Sequence, residues 1–269
     1  MLVKHAYYNE IDPYAAQWLR NLIAAGHIAP GEVDERSIED VRPDDLRGFA
    51  QCHFFAGIGV WSLALRNAGW ADDRQVWTGS CPCQPFSAAG KGAGFTDKRH
   101  LWPAFHWLIQ QCVPTAIFGE QVAAKRAGPW VDLVQDDMEA LGYAFGAVAF
   151  PACGVGSHHI RERTYWCAHA DQYRSGRKAK ASNYPRPQAI RPTDRPGGHS
   201  RIPLGTGNDA QWITCADGKS RPIEPGLCPV VDAYPARVAQ LRAFGNAIDT
   251  QAAQVFIQAA QGLIYASQN

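Results

Sequence analysis

Over residues 1–170 short apolar runs alternate with stretches of helical period, and few folds accept that alternation. Leu2 to Asn9 reads as a strand. Asp12 suits a helix N-cap and Pro13 the first helical position, where its missing N–H costs nothing. Tyr14, Trp18, Leu19, Leu22 and Ile23 then recur at helical spacing, and Gly26 is the stop. Ser37 to Val41 is expected as a second strand and Cys52 to Phe55 as a third. A helix follows from Val60 to Ala68, closed by Gly69. Val76 to Gly79 gives a strand, Ser80 to Arg99 a long loop, and Leu101 to Cys112 a helix. Thr115 to Phe118 is a strand and Trp130 to Leu141 a helix. Ala144 to Phe150 and Thr164 to His169 are closing strands. Such a series implies an α/β fold with a mostly parallel sheet and ligands at the carboxyl ends of its strands.

The texture changes after this region. Residues 171–235 are rich in Pro, Gly and Arg, and residues 236–269 return to a helical pattern. Between Gln172 and Arg201 lie Arg174, Arg177, Lys178, Lys180, Arg186, Arg191, Arg195 and Arg201, against the single acid Asp194. The chain as a whole carries only +1, so its positive charge is concentrated here, as a polyanion-binding segment requires. A solvated loop would show the same composition. Hydrophobic residues at 46% and charged residues at 19% fit a folded enzyme and exclude a disordered chain. No apolar run approaches the ~20 residues of a membrane span. Met1-Leu-Val-Lys-His has no signal-peptide core, so a cytoplasmic location is expected. The eight cysteines form no C-x-x-C pair and read as reduced thiols. Cys215, Cys228 and His199 are poorly spaced for a metal, and none is expected.

Three stretches carry candidate chemistry. Phe55-Ala56-Gly57-Ile58-Gly59 follows a strand and opens a helix, so the backbone can approach a ligand there. A tight structural turn would look the same. Glu10 ends the first strand, where an acid commonly accepts hydrogen bonds from ribose, and Ile11 can pack on an adenine face. A solvated Glu10 is the plainer alternative. The third stretch, Gly79-Ser80-Cys81-Pro82-Cys83-Gln84-Pro85-Phe86-Ser87, is far more specific. A cysteine fixed between prolines on a loop after a central strand is positioned as a nucleophile.

Residues 82–87 spell Pro-Cys-Gln-Pro-Phe-Ser, and here the chain resembles the DNA cytosine-5 methyltransferases of phage and bacterial type. Other blocks agree. Phe55 to Gly59 is similar to the family's Phe-x-Gly-x-Gly cofactor loop, and Phe118-Gly119-Glu120-Gln121-Val122 to its Glu-Asn-Val block. His159-Ile160-Arg161-Glu162-Arg163 is similar to Gln-x-Arg-x-Arg, and Gly245-Asn246-Ala247-Ile248 to Gly-Asn-Ala-Val. The resemblance covers about residues 1–170 and 236–262. The block order departs from the family's: Glu10-Ile11-Asp12 precedes the glycine loop, as if the ribose-binding and adenine-binding strands had moved ahead of the glycine strand. Ser37-Ile38 then aligns with the family's Asp-Ile adenine contact. Gln121 stands for an Asn and His159 for a Gln.

The resemblance implies a Rossmann-like S-adenosylmethionine-dependent methyltransferase sheet over 1–170, a small loop-rich target-recognition region over 171–235, and a C-terminal helix over 236–269 returning to the catalytic domain. It implies Cys83 as the nucleophile and Glu120 as the acid on the base, with Arg161 and Arg163 gripping the base carbonyl and the catalytic loop. Phe55, Gly57, Gly59, Glu10, Ile11, Ile38 and Asn246 would contact S-adenosyl-L-methionine, with Trp61 nearby. The target cytosine, hidden in double-stranded DNA, would flip into the pocket. Gln84, Ser87, Lys91 and Arg99 on the loop after the nucleophile, and Arg186, Arg191, Arg195 and Arg201 in the basic segment, would contact DNA. One site per chain suits a monomer, and the biological setting implied is anti-restriction or a restriction-modification pair. Transfer of a modified alkyl group and a non-catalytic DNA-binding relative stay as alternatives.

Overall fold

The computed structural model describes residues 4–82, 101–123, 127–157, 159–170, 211–214, 218–223 and 237–266. The chain divides into two units, one made of residues 1–170 with 227–269 and the other of residues 171–226. In the first unit the elements are β1 (Lys4–Asn9), α1 (Pro13–Ala24), β2 (Gly31–Asp34), β3 (Phe49–Phe54), α2 (Val60–Asn67), β4 (Val76–Gly79), α3 (Trp102–Cys112), β5 (Ala116–Val122), α4 (Gly128–Ala140), β6 (Tyr143–Pro151) and β7 (Glu162–Ala170). In the second unit the described residues form a hairpin of β8 (Gln211–Thr214) and β9 (Ser220–Ile223), with Thr214 opposite Ser220. The chain then returns to the first unit with α5 (Arg237–Asn246) and α6 (Thr250–Ala266).

Seven strands form one sheet in the order β2-β1-β3-β4-β5-β7-β6. The first five are parallel, and β7 runs antiparallel between β5 and β6. This is the Rossmann-like α/β sheet expected of the sequence. The glycine strand β3 sits inside the sheet although it comes third in the chain. The earlier βαβ unit, β1-α1-β2, is laid against its outer side, with Tyr7 opposite Cys52 and Asn9 opposite Phe54. The β1-α1-β2 unit thus supplies one edge of the sheet.

Apolar side chains on both faces explain the layers. Cys52, Phe54 and Trp77 pack with Trp102, Phe105, Trp130 and Val134 of α3 and α4. On another surface Trp61 and Leu65 of α2 pack with Phe118, Ala253, Phe256 and Ile257. Leu19 and Ile28 pack with Ala6 and Tyr8 beside them. The polar residues of β3 are buried but satisfied: His53 Nδ1 pairs with Thr78 Oγ1 at 2.8 Å and its Nε2 with Gln51 at 3.2 Å. Burial pushes the His53 imidazole down to about 3, so it packs as a neutral ring against Tyr8. Strand β5 requires Gly119, because an added Cβ would collide with the buried Trp166 indole on β7. Gly119→Ala is therefore expected to destabilise the fold by about 1–3 kcal/mol, read as a lower Tm in a thermal melt. An unchanged Tm would contradict this packing.

Several local expectations need correction. Ser37 to Val41 is not a strand: Ile38–Asp40 forms one 3-10 turn, started by Ser37 Oγ accepting from the Glu39 amide, and the strand lies earlier, at Gly31–Asp34. The C-terminal region is two helices. Asp249 separates them by capping α6, its Oδ1 accepting from the Ala252 amide at 2.8 Å. Strands β3 and β5 also run further than expected, the latter to Val122. Among the described residues no helix is long and apolar enough to cross a membrane.

Candidate active site

A cavity of about 340 Å³ opens at the carboxyl ends of the parallel strands, a size suited to a small-molecule site. It sits where the crossovers diverge: α2 leaves β3 toward one face, and α3 leaves β4 toward the other. Glu10, at the end of β1, reaches across to the glycine turn. Its Oε2 accepts from the Gly57 amide at 2.7 Å and its Oε1 from the Asp12 amide at 2.9 Å. Burial raises the Glu10 pKa, while those two amides oppose the shift. Phe55 and Gly57 both take positive φ, +52° and +55°, which turns the backbone sharply out of β3 into the cavity wall. Ile11 lines the cavity with 65% of its surface exposed, an apolar platform with no protein partner over most of its area. Ile38 adds a second apolar wall and Asn246, at the end of α5, a polar one.

The other end of the cavity is ionic. Glu120 lies on β5 opposite Tyr165 of β7, which puts Arg163, two residues earlier on β7, diagonally beside it on the same face. Arg163 Nε meets Glu120 Oε1 at 2.6 Å, and Arg163 Nη1 is anchored on the Glu162 carbonyl at 2.8 Å. Glu120 is 7% exposed. Burial raises its pKa, and Arg163 and the Ser80 hydroxyl pull against that rise. Ser80 is held in turn by the Trp61 indole N–H at 3.0 Å. Arg161 donates from Nη2 to the Gly245 carbonyl at 2.7 Å, and its guanidinium is pulled below its ordinary value by burial and by the neighbouring Arg163. Two buried donors, Arg161 Nε and Gln121 Nε2, have no partner among the described residues, and both side chains line the cavity. A ligand bringing acceptors would satisfy them.

Glu10, Ile11, Ile38, Phe55, Gly57, Glu120, Arg161, Arg163 and Asn246, all named as candidates from the sequence, line one cavity. Gly59 does not line it. Its φ of +79° starts α2, and a Cβ there would press on Ile28 and Leu19 at 3.0 and 3.1 Å, so it is a packing glycine. Trp61 is a core residue that supports Ser80. Cys83, Gln84, Ser87, Lys91, Arg99, Arg186, Arg191, Arg195 and Arg201 lie outside the described residues. Pro82, the residue before Cys83, lines the cavity. Cys81 is buried in the core and its thiol is pushed well up by desolvation, which makes it a poor nucleophile. The sequence reading passed over Ser80 and the orphaned amide of Gln121. Their adjacency to the cysteine loop and to Glu120 was the available signal. No cluster of three or more His, Cys, Asp or Glu suited to a metal occurs among the described residues.

The sequence model of the C-5 cytosine-specific DNA methylases matches residues 70–196. The type II methyltransferase M.HhaI of Haemophilus parahaemolyticus is 29% identical over 165 residues, an alignment taking in 47% of this chain and 50% of that protein. The chain therefore spans about half the length of the curated relative it matches. Among solved structures, the Entamoeba histolytica methyltransferase EhMeth is 12% identical with a TM-score of 0.44, covering 65% of this chain and 55% of its own. A DNMT2 of Spodoptera frugiperda is 16% identical with a TM-score of 0.41, covering 65% and 45%.

Proposed function

We propose, from the match of residues 70–196 to the sequence model of the C-5 cytosine-specific DNA methylases, that the protein methylates C5 of a cytosine flipped out of double-stranded DNA, using S-adenosylmethionine and a transient bond to Cys83. The observation that carries this reading is one cavity with two chemically distinct ends, a ribose- and adenine-like end at Glu10, Ile11 and Phe55 and a base-holding end at Glu120 and Arg163. Pro82 brings the chain to that cavity one residue before Cys83.

C5 of cytosine is a weak nucleophile. Addition of the Cys83 thiolate to C6 turns the ring into an enamine-like species whose C5 carries the electron pair. Glu120 hydrogen-bonds the pyrimidine edge and gives a proton to N3 as charge develops there. Its raised pKa serves that donation, and Arg163 fixes its orientation. The unpartnered Arg161 Nε is the donor left for the base carbonyl. S-adenosylmethionine would supply an electrophilic methyl group to C5, its S–CH3 bond breaking to leave S-adenosylhomocysteine. Loss of the C5 proton to a base or water then lets the thiolate leave C6, and N3 returns its proton to Glu120. The basic segment of the second unit, together with Gln84, Ser87, Lys91 and Arg99, holds the DNA.

The cofactor end is tested by Ile11→Asp. Ile11 is exposed, so the fold tolerates the change, but a carboxylate replaces the apolar face offered to adenine. Affinity for S-adenosylhomocysteine, measured by calorimetry, is expected to fall by about tenfold or more. Affinity within twofold of the unaltered protein would remove Ile11 from the cofactor site.

A further inference from the structure

The cavity wall made by Gly245, Asn246 and Ala247 arrives late in the chain, at the end of α5 and before α6. Polar ties fasten this joint to the loop between β6 and β7. Arg161 holds the Gly245 carbonyl. Ser157 Oγ donates to Asp249 Oδ2 at 2.7 Å and also lies 3.4 Å from Gln251 Oε1. His159 Nε2 lies 3.2 Å from the same Asp249 oxygen. The other Asp249 oxygen caps α6. The loop is itself closed, with Ala152 N donating to Arg161 O at 2.9 Å and Ser157 N to Ala152 O at 3.2 Å. Ser157 and Asp249 are absent from the cavity lining, yet they flank the residues that form it.

We propose that Ser157 and Asp249 form a latch that holds the Gly245–Ala247 wall in its binding position, so that they set cofactor affinity while touching neither cofactor nor base. The proposal rests on the cofactor reading above. A wall fixed in advance loses little freedom on binding, whereas an unlatched wall lowers apparent affinity by the fraction of time it is displaced. The Ser157–Asp249 bond is charge-assisted and half-buried, the kind whose loss is felt most strongly. Both are positioning residues, and their loss separates binding from chemistry.

The test compares the unaltered protein with Ser157→Ala and, as a second variant, Asp249→Ser, whose hydroxyl can still cap α6 but offers Ser157 and His159 no second oxygen. Three quantities are read: S-adenosylhomocysteine affinity by calorimetry, hydrogen exchange at the Ala247 amide, which donates to the Ala243 carbonyl at 3.1 Å, and kcat at saturating cofactor. In both variants affinity is expected to fall about five- to tenfold and exchange to speed up, while kcat at saturation holds. Affinity within twofold in Ser157→Ala, or a kcat at saturation that falls as far as kcat/KM, would overturn the latch. If the unaltered protein binds no S-adenosylhomocysteine, the methyltransferase reading fails. Exchange then decides the latch alone, and unchanged protection in both variants would overturn it.

Discussion

Cys83→Ser is expected to lower methyl transfer by on the order of 10⁴-fold or more, the scale on which loss of a covalent nucleophile is felt. A serine hydroxyl is far less ionised and less polarisable than a thiol, so addition to C6 stops, while cofactor and DNA still bind. The same change abolishes the stable adduct that the unaltered protein should form on DNA containing 5-fluorocytosine, which has no C5 proton to lose. A denaturing gel reads that adduct directly. Cys81→Ser is the matched control. Cys81 is buried in the core beside the cavity, with its thiol held protonated by desolvation. Its replacement should lower stability and keep the adduct. An adduct that survives Cys83→Ser and vanishes with Cys81→Ser would reverse the assignment.

Glu120→Gln is expected to reduce kcat by about 10²- to 10⁴-fold, the range contributed by general acid–base groups. Gln keeps the shape and can still hydrogen-bond the pyrimidine edge, but it has no proton to give to N3. The pH profile carries the sharper signature. Activity of the unaltered protein should rise with pH as the Cys83 thiol ionises. It should fall with pH as Glu120, whose pKa is raised by burial, loses the proton it must donate. Glu120→Gln should keep the rising limb and lose the falling one that belongs to Glu120. The sign follows from the direction of the shift, since a carboxyl raised by desolvation is the acid form to a higher pH than an ordinary glutamate. A variant that retains both limbs would show that another group sets the falling one. Arg163 would be left facing a neutral amide, and it is exposed enough to take water in place of Glu120.

Much of this site was legible because its blocks are short, local and chemically loud. Gly57 and Gly59 mark a turn whatever the tertiary fold, and the string around Cys83 has few structural explanations. The sequence reading implied a mostly parallel sheet and no strand order; the structure adds β1 in parallel outside β3, which brings Glu10 to the end of the glycine strand. Errors fell where tertiary burial overrules local pattern. Strand β2 reads Gly-Glu-Val-Asp, a single apolar residue, and it is a strand because β1 offers it an edge. Ser37 to Val41 has the better pattern, but the Ser37 hydroxyl caps a tight turn. Strand β5 seemed to end at Phe118 because Glu120 and Gln121 are polar. Pairing with β7 carries it on to Val122, and that extension aligns Glu120 with Arg163. The orphaned Gln121 Nε2 and the Ser157–Asp249 tie depend on distances between residues far apart in the chain, which no local pattern encodes.

The central claim is tested most directly by nucleoside mass spectrometry of unmethylated duplex DNA incubated with the purified protein and S-adenosylmethionine. The account predicts 5-methyldeoxycytidine, formed with unaltered Cys83 and missing with Cys83→Ser. Cytosine left unmodified under conditions where both DNA and S-adenosylhomocysteine bind would contradict it, and so would a cytosine heavier by any group other than methyl.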